Sequence, residues 1–171
     1  VPTERIVRTV SGQGLSLRQV HEGDADALRA LHRRCSPATL RGRYFAGVRD
    51  LAPWMLRIFS DPDRGLTLAV RPQGGEAPVA LGHLMYTPDP GVGEIAFLVE
   101  DAWQGRGVGT ALTRALTVAA ADWGLAEVRA ETTLSNTAML RTMRRFGASV
   151  QSQGGTHVHA RLPVACLLYT S

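Results

Sequence analysis

The sequence predicts an α/β (α+β) fold, a single mixed, mostly antiparallel sheet flanked by helices. Short apolar runs with strand-like alternation recur from "LSLRQV" (15–20) to "HVHARLPV" (157–164). Between residues 66 and 100, three such runs are separated only by Gly/Pro-rich turns, which suits an antiparallel meander. After residue 107 the apolar period lengthens to that of a helix.

Each element has its own warrant. Residues 1–14 read as a lead-in, and 15–20 as the first strand. "EGDADALRALHRRC" reads as a helix capped by Asp24, with Leu28, Leu31 and Cys35 at helical spacing. Ser36-Pro37 is a cap followed by a first-turn proline, and Pro53 opens a further short helix. "LTLAV" (66–70), "VALGHLMY" (79–86) and "EIAFLVE" (94–100) are the meander strands. Val108, Ala111, Leu112, Ala115, Leu116 and Ala119 line one helix face, and Gly124 stops that helix. "EVRAET" (127–132) is a strand. "SNTAMLRTMRRFG" is a helix capped by Ser135, with Met139, Leu140, Met143 and Phe146 inside and Gly147 at its end. Two last strands follow, and 163–171 is a tail without assignment.

The totals narrow the function. A chain of 171 residues with 44% apolar content suits one domain with a full core. No window is apolar enough to span a membrane, and "VPTERIVRTV" lacks the apolar stretch of a secretory signal, so a cytoplasmic location and no membrane partner are expected. Cys35 and Cys166 stand in no metal-ligand spacing; two buried thiols and no metal are expected. The net charge of +4 comes from dispersed arginines, without a dense stripe interleaved with aromatics, so no nucleic-acid partner is expected. Every basic side chain counted in Lys+Arg is an arginine, so the chain offers no lysine ε-amine of its own.

The stretch "DAWQGRGVGTAL" (101–112) carries the chemistry. A dinucleotide fingerprint fails because Thr110 stands where the third glycine belongs, and a P-loop fails for want of lysine. What remains is a glycine-entered helix start after a strand. Such an end presents unpaired N–H groups and about half a positive charge, which suits phosphate oxygens. On spacing alone, a diphosphate cradle and a tight strand-to-helix turn fit equally well.

Gln104-Gly105-Arg106-Gly107-Val108-Gly109 resembles the Q/R-x-x-G-x-G/A signature of the GNAT superfamily of acyl-CoA-dependent N-acyltransferases. "GEIAFLVEDAWQGRGVGTAL" resembles that family's strand-loop-helix unit, and "AETTLSNTAMLRTMRRFGA" its second signature; the likeness spans residues 15–162. "CSPATLRGRYF" adds a finer resemblance to the GNAT domain of bacterial protein acetyltransferases that modify lysines of acyl-CoA synthetases.

The resemblance implies acetyl-CoA as co-substrate, its acyl group passing to a primary amine by direct attack. The acceptor is a small-molecule amine or a protein lysine. It implies that amides from Gln104 through Gly105, Arg106, Gly107, Val108 and Gly109 to Thr110 hold the pyrophosphate, and that backbone of Leu98 and Val99 holds the pantetheine. Asn136, Met139 and Met143 line the cofactor arm from the second helix, and Glu94 takes the amine proton. His83 is a second candidate base, whereas His157 and His159 read as the exposed face of a strand. Many members carry a tyrosine seven residues after the asparagine; Met143 stands there and cannot donate a proton. That departure supports a second reading, a non-catalytic acyl-CoA-binding domain. Homodimers are common in the family.

Overall fold

A computed structural model describes residues 4–48 and 50–165. Eight strands form one sheet in the order β1-β2-β3-β4-β5-β6-β8-β7. They are β1 (Arg5–Arg8), β2 (Gly14–Gln19), β3 (Gly65–Pro72), β4 (Ala80–Tyr86), β5 (Val92–Val99), β6 (Glu127–Thr133), β7 (Ser149–Ser152) and β8 (His157–Pro163). All neighbours are antiparallel except β5 and β6. Helices α1 (Ala25–Arg34), α2 (Pro37–Tyr44) and α3 (Pro53–Ser60) precede β3 in the chain. Helix α4 (Val108–Asp122) joins β5 to β6, and α5 (Thr137–Arg145) joins β6 to β7. The predicted fold class is the observed one.

The helices pack on two faces. Leu28, Leu31, Leu40, Met55 and Phe59 of α1–α3 bury against Leu81 and Leu98 of the sheet. On the opposite face, Leu116 and Ala120 of α4 and Met143 of α5 bury against Leu84, Ile95, Val128 and Ala160. Gly82 allows α4 to lie this close, since a Cβ there would meet Leu112 at 2.6 Å.

Four local expectations need correction. The lead-in contains a strand: Arg5–Arg8 pairs with β2 through Arg5↔Leu17 to Arg8↔Gly14. Its side chains are largely exposed, so backbone pairing rather than an apolar pattern holds it at the sheet edge. Asp24 does not cap α1 with its side chain. Its carboxylate instead accepts from Arg18 at 2.6 Å and from the His21 amide at 2.9 Å. Asn136, not Ser135, caps α5, because the Ser135 hydroxyl is engaged with Thr133 at 2.9 Å. At the other end, β8 runs through Pro163 and Val164 joins the core.

Ser36 does cap α2, accepting the Thr39 amide, with Pro37 in the first turn. Cys35 is a buried free thiol, its pKa pushed up to about 12 by burial and then by Asp101 and Glu100. Cys166 lies outside the described residues. No helix among the described residues is long and apolar enough to cross a membrane, and none of their His, Cys, Asp and Glu side chains group as a metal site.

Candidate active site

β5 and β6 pair over three positions only, Val92↔Glu127, Gly93↔Val128 and Glu94↔Arg129. Beyond Glu94 the two parallel strands part, although β5 continues to Val99 and β6 to Thr133. Splaying leaves two facing backbone edges without a strand between them. Helix α2 packs over β5 and β6 on one side of this opening.

The glycine stretch stands at the far end of β5. A short 3-10 turn, Asp101–Trp103, leads to Gln104. Gly105 (φ 71°) and Gly107 (φ 84°) both take the left-handed conformation that residues with a Cβ resist. Gly107 is the N-cap of α4, so no side chain caps that helix, and its first turn holds no acidic residue. Amides of Val108, Gly109 and Thr110 therefore occupy the uncapped positive end of a 15-residue helix. A Cβ at Gly105 would meet nothing within 4 Å, so the space before the loop is open. The residues present fit an anionic group. Arg106 stays beside the loop, its guanidinium 5.0 Å from the Trp103 ring centre.

Polar bonds brace this end of β5 against α1 and α2. Gln104 Nε2 donates to Thr39 Oγ1 and to the Val99 carbonyl, each at 3.0 Å. The Ser36 amide donates to Asp101 at 2.8 Å. Arg34 donates to Glu100 at 3.1 Å and to the Pro78 carbonyl at 2.7 Å.

Glu94 sits where the splay begins. It is exposed and, among the described residues, forms no ion pair with Arg129, which donates instead to Glu127 and Asp89, each at 2.7 Å. Leu98 packs with the α1–α3 cluster, so the alternation of the strand puts Glu94 on the same face, under α2. His83 is fully buried on the neighbouring strand, its ring tilted by 36° against Phe59 at 4.4 Å between centres and bonded to Thr67 at 3.0 Å. Burial first, then Arg43 and His32, hold its pKa well below the usual value, which leaves it neutral.

Sequence reasoning missed a second group of residues here. His32 Nδ1 donates to the Leu28 carbonyl at 2.7 Å, so its Nε2 accepts from the Tyr44 hydroxyl at 2.6 Å. Burial chiefly raises the Tyr44 pKa to about 12. Beside it, the Arg43 guanidinium lies 4.7 Å from the Tyr44 ring centre. Only the arrangement of α1 and α2 over the sheet unites these side chains.

Not every candidate lines the opening. Met143 is completely enclosed in the core between α5 and the sheet, so its thioether does not present to the cleft. Met139 is half-buried against the same core. Asn136 spends its Oδ1 on the Met139 amide at 3.2 Å, whereas its Nδ2 faces Gly42 of α2, 3.7 Å from where a Cβ would stand. His157 is exposed, its ring tilted by 38° against Phe45 at 5.4 Å between centres.

Comparison with known proteins agrees with this geometry. The model of the acetyltransferase (GNAT) domain matches residues 15–149. The GNAT domain of Streptomyces lividans PAT superposes with a TM-score of 0.85 at 25% identity, covering 94% of this chain and 96% of that one. A cAMP-binding acyltransferase from Mycobacterium smegmatis gives a TM-score of 0.66 at 25% identity, over 95% of this chain but only 48% of that one. RimL, a ribosomal L7/L12 alpha-N-protein acetyltransferase solved with coenzyme A, shares the fold at 14% identity, with a TM-score of 0.74 over 95% and 99% of the two chains. With a splayed β5/β6 pair, an uncapped glycine-entered α4 and a family model matched over most of its length, the chain belongs to the GNAT acetyltransferase family.

Proposed function

We propose that this protein transfers an acetyl or other acyl group from acyl-CoA to a primary amine by direct attack. The observation that carries the reading is the alignment of three features along β5: Glu94 at the splay, the open edge beyond it, and the uncapped start of α4 at its end. Bound acetyl-CoA supplies the acetyl thioester. Amides of the 105–110 loop hold its diphosphate by hydrogen bonds and by the positive end of α4, the Gln104 amide being spent on the Asp101 carbonyl. Of the two backbone candidates, Val99 faces the opening, where its carbonyl accepts from Gln104 and keeps its second lone pair for the pantetheine arm, whereas Leu98 is paired with Leu81 of β4. Asn136 Nδ2 is the part of that side chain left to contact the cofactor arm.

Glu94 accepts the amine proton. An alkyl amine with a pKa near 10 is mostly protonated at neutral pH, so a carboxylate at the reaction point raises the reactive fraction. No side chain of α5 takes the place of a tyrosine acid, since Met143 is in the core. Solvent water at the open cleft returns the proton to the thiolate.

The similarity to the S. lividans PAT domain supports a protein lysine as one class of acceptor, with small amines as the other. Calorimetry with acetyl-CoA and CoA, followed by thiol release over a panel of amines and lysine peptides, tests the reading. Failure to bind either ligand at millimolar concentration overturns it.

A further inference from the structure

Arg43 is the penultimate residue of α2, the helix that covers the splay. Its Nε is buried and has no hydrogen-bond partner. Among the described residues no carboxylate lies within ion-pair distance of it. An arginine cannot escape this by losing its proton. The side chain is half-buried, and its Nε has given up water without gaining an acceptor, which is unfavourable. The Tyr44 ring face, 4.7 Å from the guanidinium carbon, offsets part of that by a cation–π contact. Among the described residues, the fold therefore leaves the Arg43 Nε–H without an acceptor.

The surroundings say where that hydrogen-bond acceptor belongs. Helix α2, which carries Arg43, packs over β5 and β6, the two strands that part at Glu94. His83 Nε2 is also buried and without a partner. Thus two nitrogens without partners, Arg43 Nε and His83 Nε2, lie on the α1–α3 side of the sheet. Glu94 offers a negative charge to an amine; Arg43 offers a positive one nearby. A molecule carrying an amine and an acid on one short skeleton satisfies both.

We propose that Arg43 forms an anion subsite for the acceptor, and that the acceptor is a small amine bearing a carboxylate. Its amine faces Glu94 and its acid faces Arg43. The guanidinium matches a carboxylate with two parallel N–H donors, which a lysine could not reproduce. The burial of Nε favours a small molecule over a lysine on a folded protein, because the acid must reach beneath α2. The proposal rests on the acyl-transfer reading and on Glu94 as the base.

The test compares amines of equal length with and without an acid, 4-aminobutyrate against butylamine and 6-aminohexanoate against hexylamine. The full chain is assayed with acetyl-CoA by thiol release, together with the variants Arg43→Met and Arg43→Lys. The wild type is expected to favour the acid-bearing member by about tenfold or more in kcat/KM. Arg43→Met removes that preference, read as the ratio of the two kcat/KM values, and leaves acetyl-CoA binding within about twofold; Arg43→Lys restores part of the preference. Equal turnover of both members by the wild type, or an equal loss for both in Arg43→Met, overturns the proposal. Should no amine be acetylated, the transfer reading fails, and calorimetry of the same pairs on CoA-saturated protein still reads the subsite. Selective binding of the acid that disappears in Arg43→Met supports it, and binding without selectivity overturns it. Circular dichroism of Arg43→Lys, which keeps the stem and charge, separates misfolding from lost recognition.

Discussion

Gln104 and Thr39 are 65 residues apart in sequence, yet the amide nitrogen of one donates to the hydroxyl of the other at 3.0 Å. The same nitrogen holds the Val99 carbonyl at 3.0 Å. The first residue of the glycine signature thus clamps α2 to the end of β5, and positions the loop that follows.

Gln104→Ala removes both bonds. The expected result is a several-fold rise in the KM for acetyl-CoA and a stability loss of about 1 kcal/mol, since each bond is exposed. Steady-state kinetics and urea unfolding measure the two. An unchanged KM would show that the clamp has no part in cofactor binding.

The glycines separate backbone strain from ligand contact. Gly107→Ala places a Cβ at a φ of 84° and 3.1 Å from Thr9 Cβ, so it costs about 1 kcal/mol or more. Gly109 is within α4, and a Cβ there makes only an ordinary 3.7 Å contact with Thr142. Gly109→Glu should fold normally but abolish CoA binding, by adding bulk and negative charge at the anion site. Calorimetry alongside thermal melting distinguishes the two effects.

Glu94→Gln should lower kcat by about 10²–10⁴-fold with acetyl-CoA affinity unchanged, the range for loss of a positioned base. A fall of less than threefold would remove Glu94 from the mechanism.

Acid should weaken the fold in two stages. Burial chiefly holds His32 and His83 below the ordinary value of 6.5. Below that pH the unfolded chain takes up protons that the folded chain refuses, so their contribution is full above about pH 6.5 and is lost as pH falls. Asp24 behaves as a depressed carboxyl: burial opposes its charge, but Arg18 and the His21 amide outweigh burial and bring it below 3.8. Its contribution is present above that value and lost as pH falls through the folded pKa. Urea midpoints from pH 8 to pH 3 should decline from about 6.5 downward, and His83→Gln should flatten the upper part of the decline.

Met143 gives a test of the departure from the family pattern. Being fully enclosed, it has no room for a phenol, so Met143→Tyr should lose about 1–3 kcal/mol by overpacking and gain no rate. Faster thiol release in this variant would mean that the side chain reaches the cleft after all.

Most of the architecture was legible because local chemistry specified it. Ser36-Pro37, Gly124 and Gly147 mark helix ends by capping and φ alone. The stripe from Val108 to Leu116 needed only its period, and the glycine signature needed only its residues. Strand β1 escaped notice because an edge strand held by backbone pairing leaves no apolar pattern. Ser135 and Asn136 are both good caps, and only the Thr133 contact decided between them. The sequence by itself determined most of the elements, the family and the glycine-entered start of α4, all properties of contiguous residues. Tertiary structure alone decided that Met143 is core, that Gln104 clamps α2, and that Arg43 Nε is buried without a partner. Those depend on how α1 and α2 cross the sheet, and no spacing along the chain encodes a distance between elements.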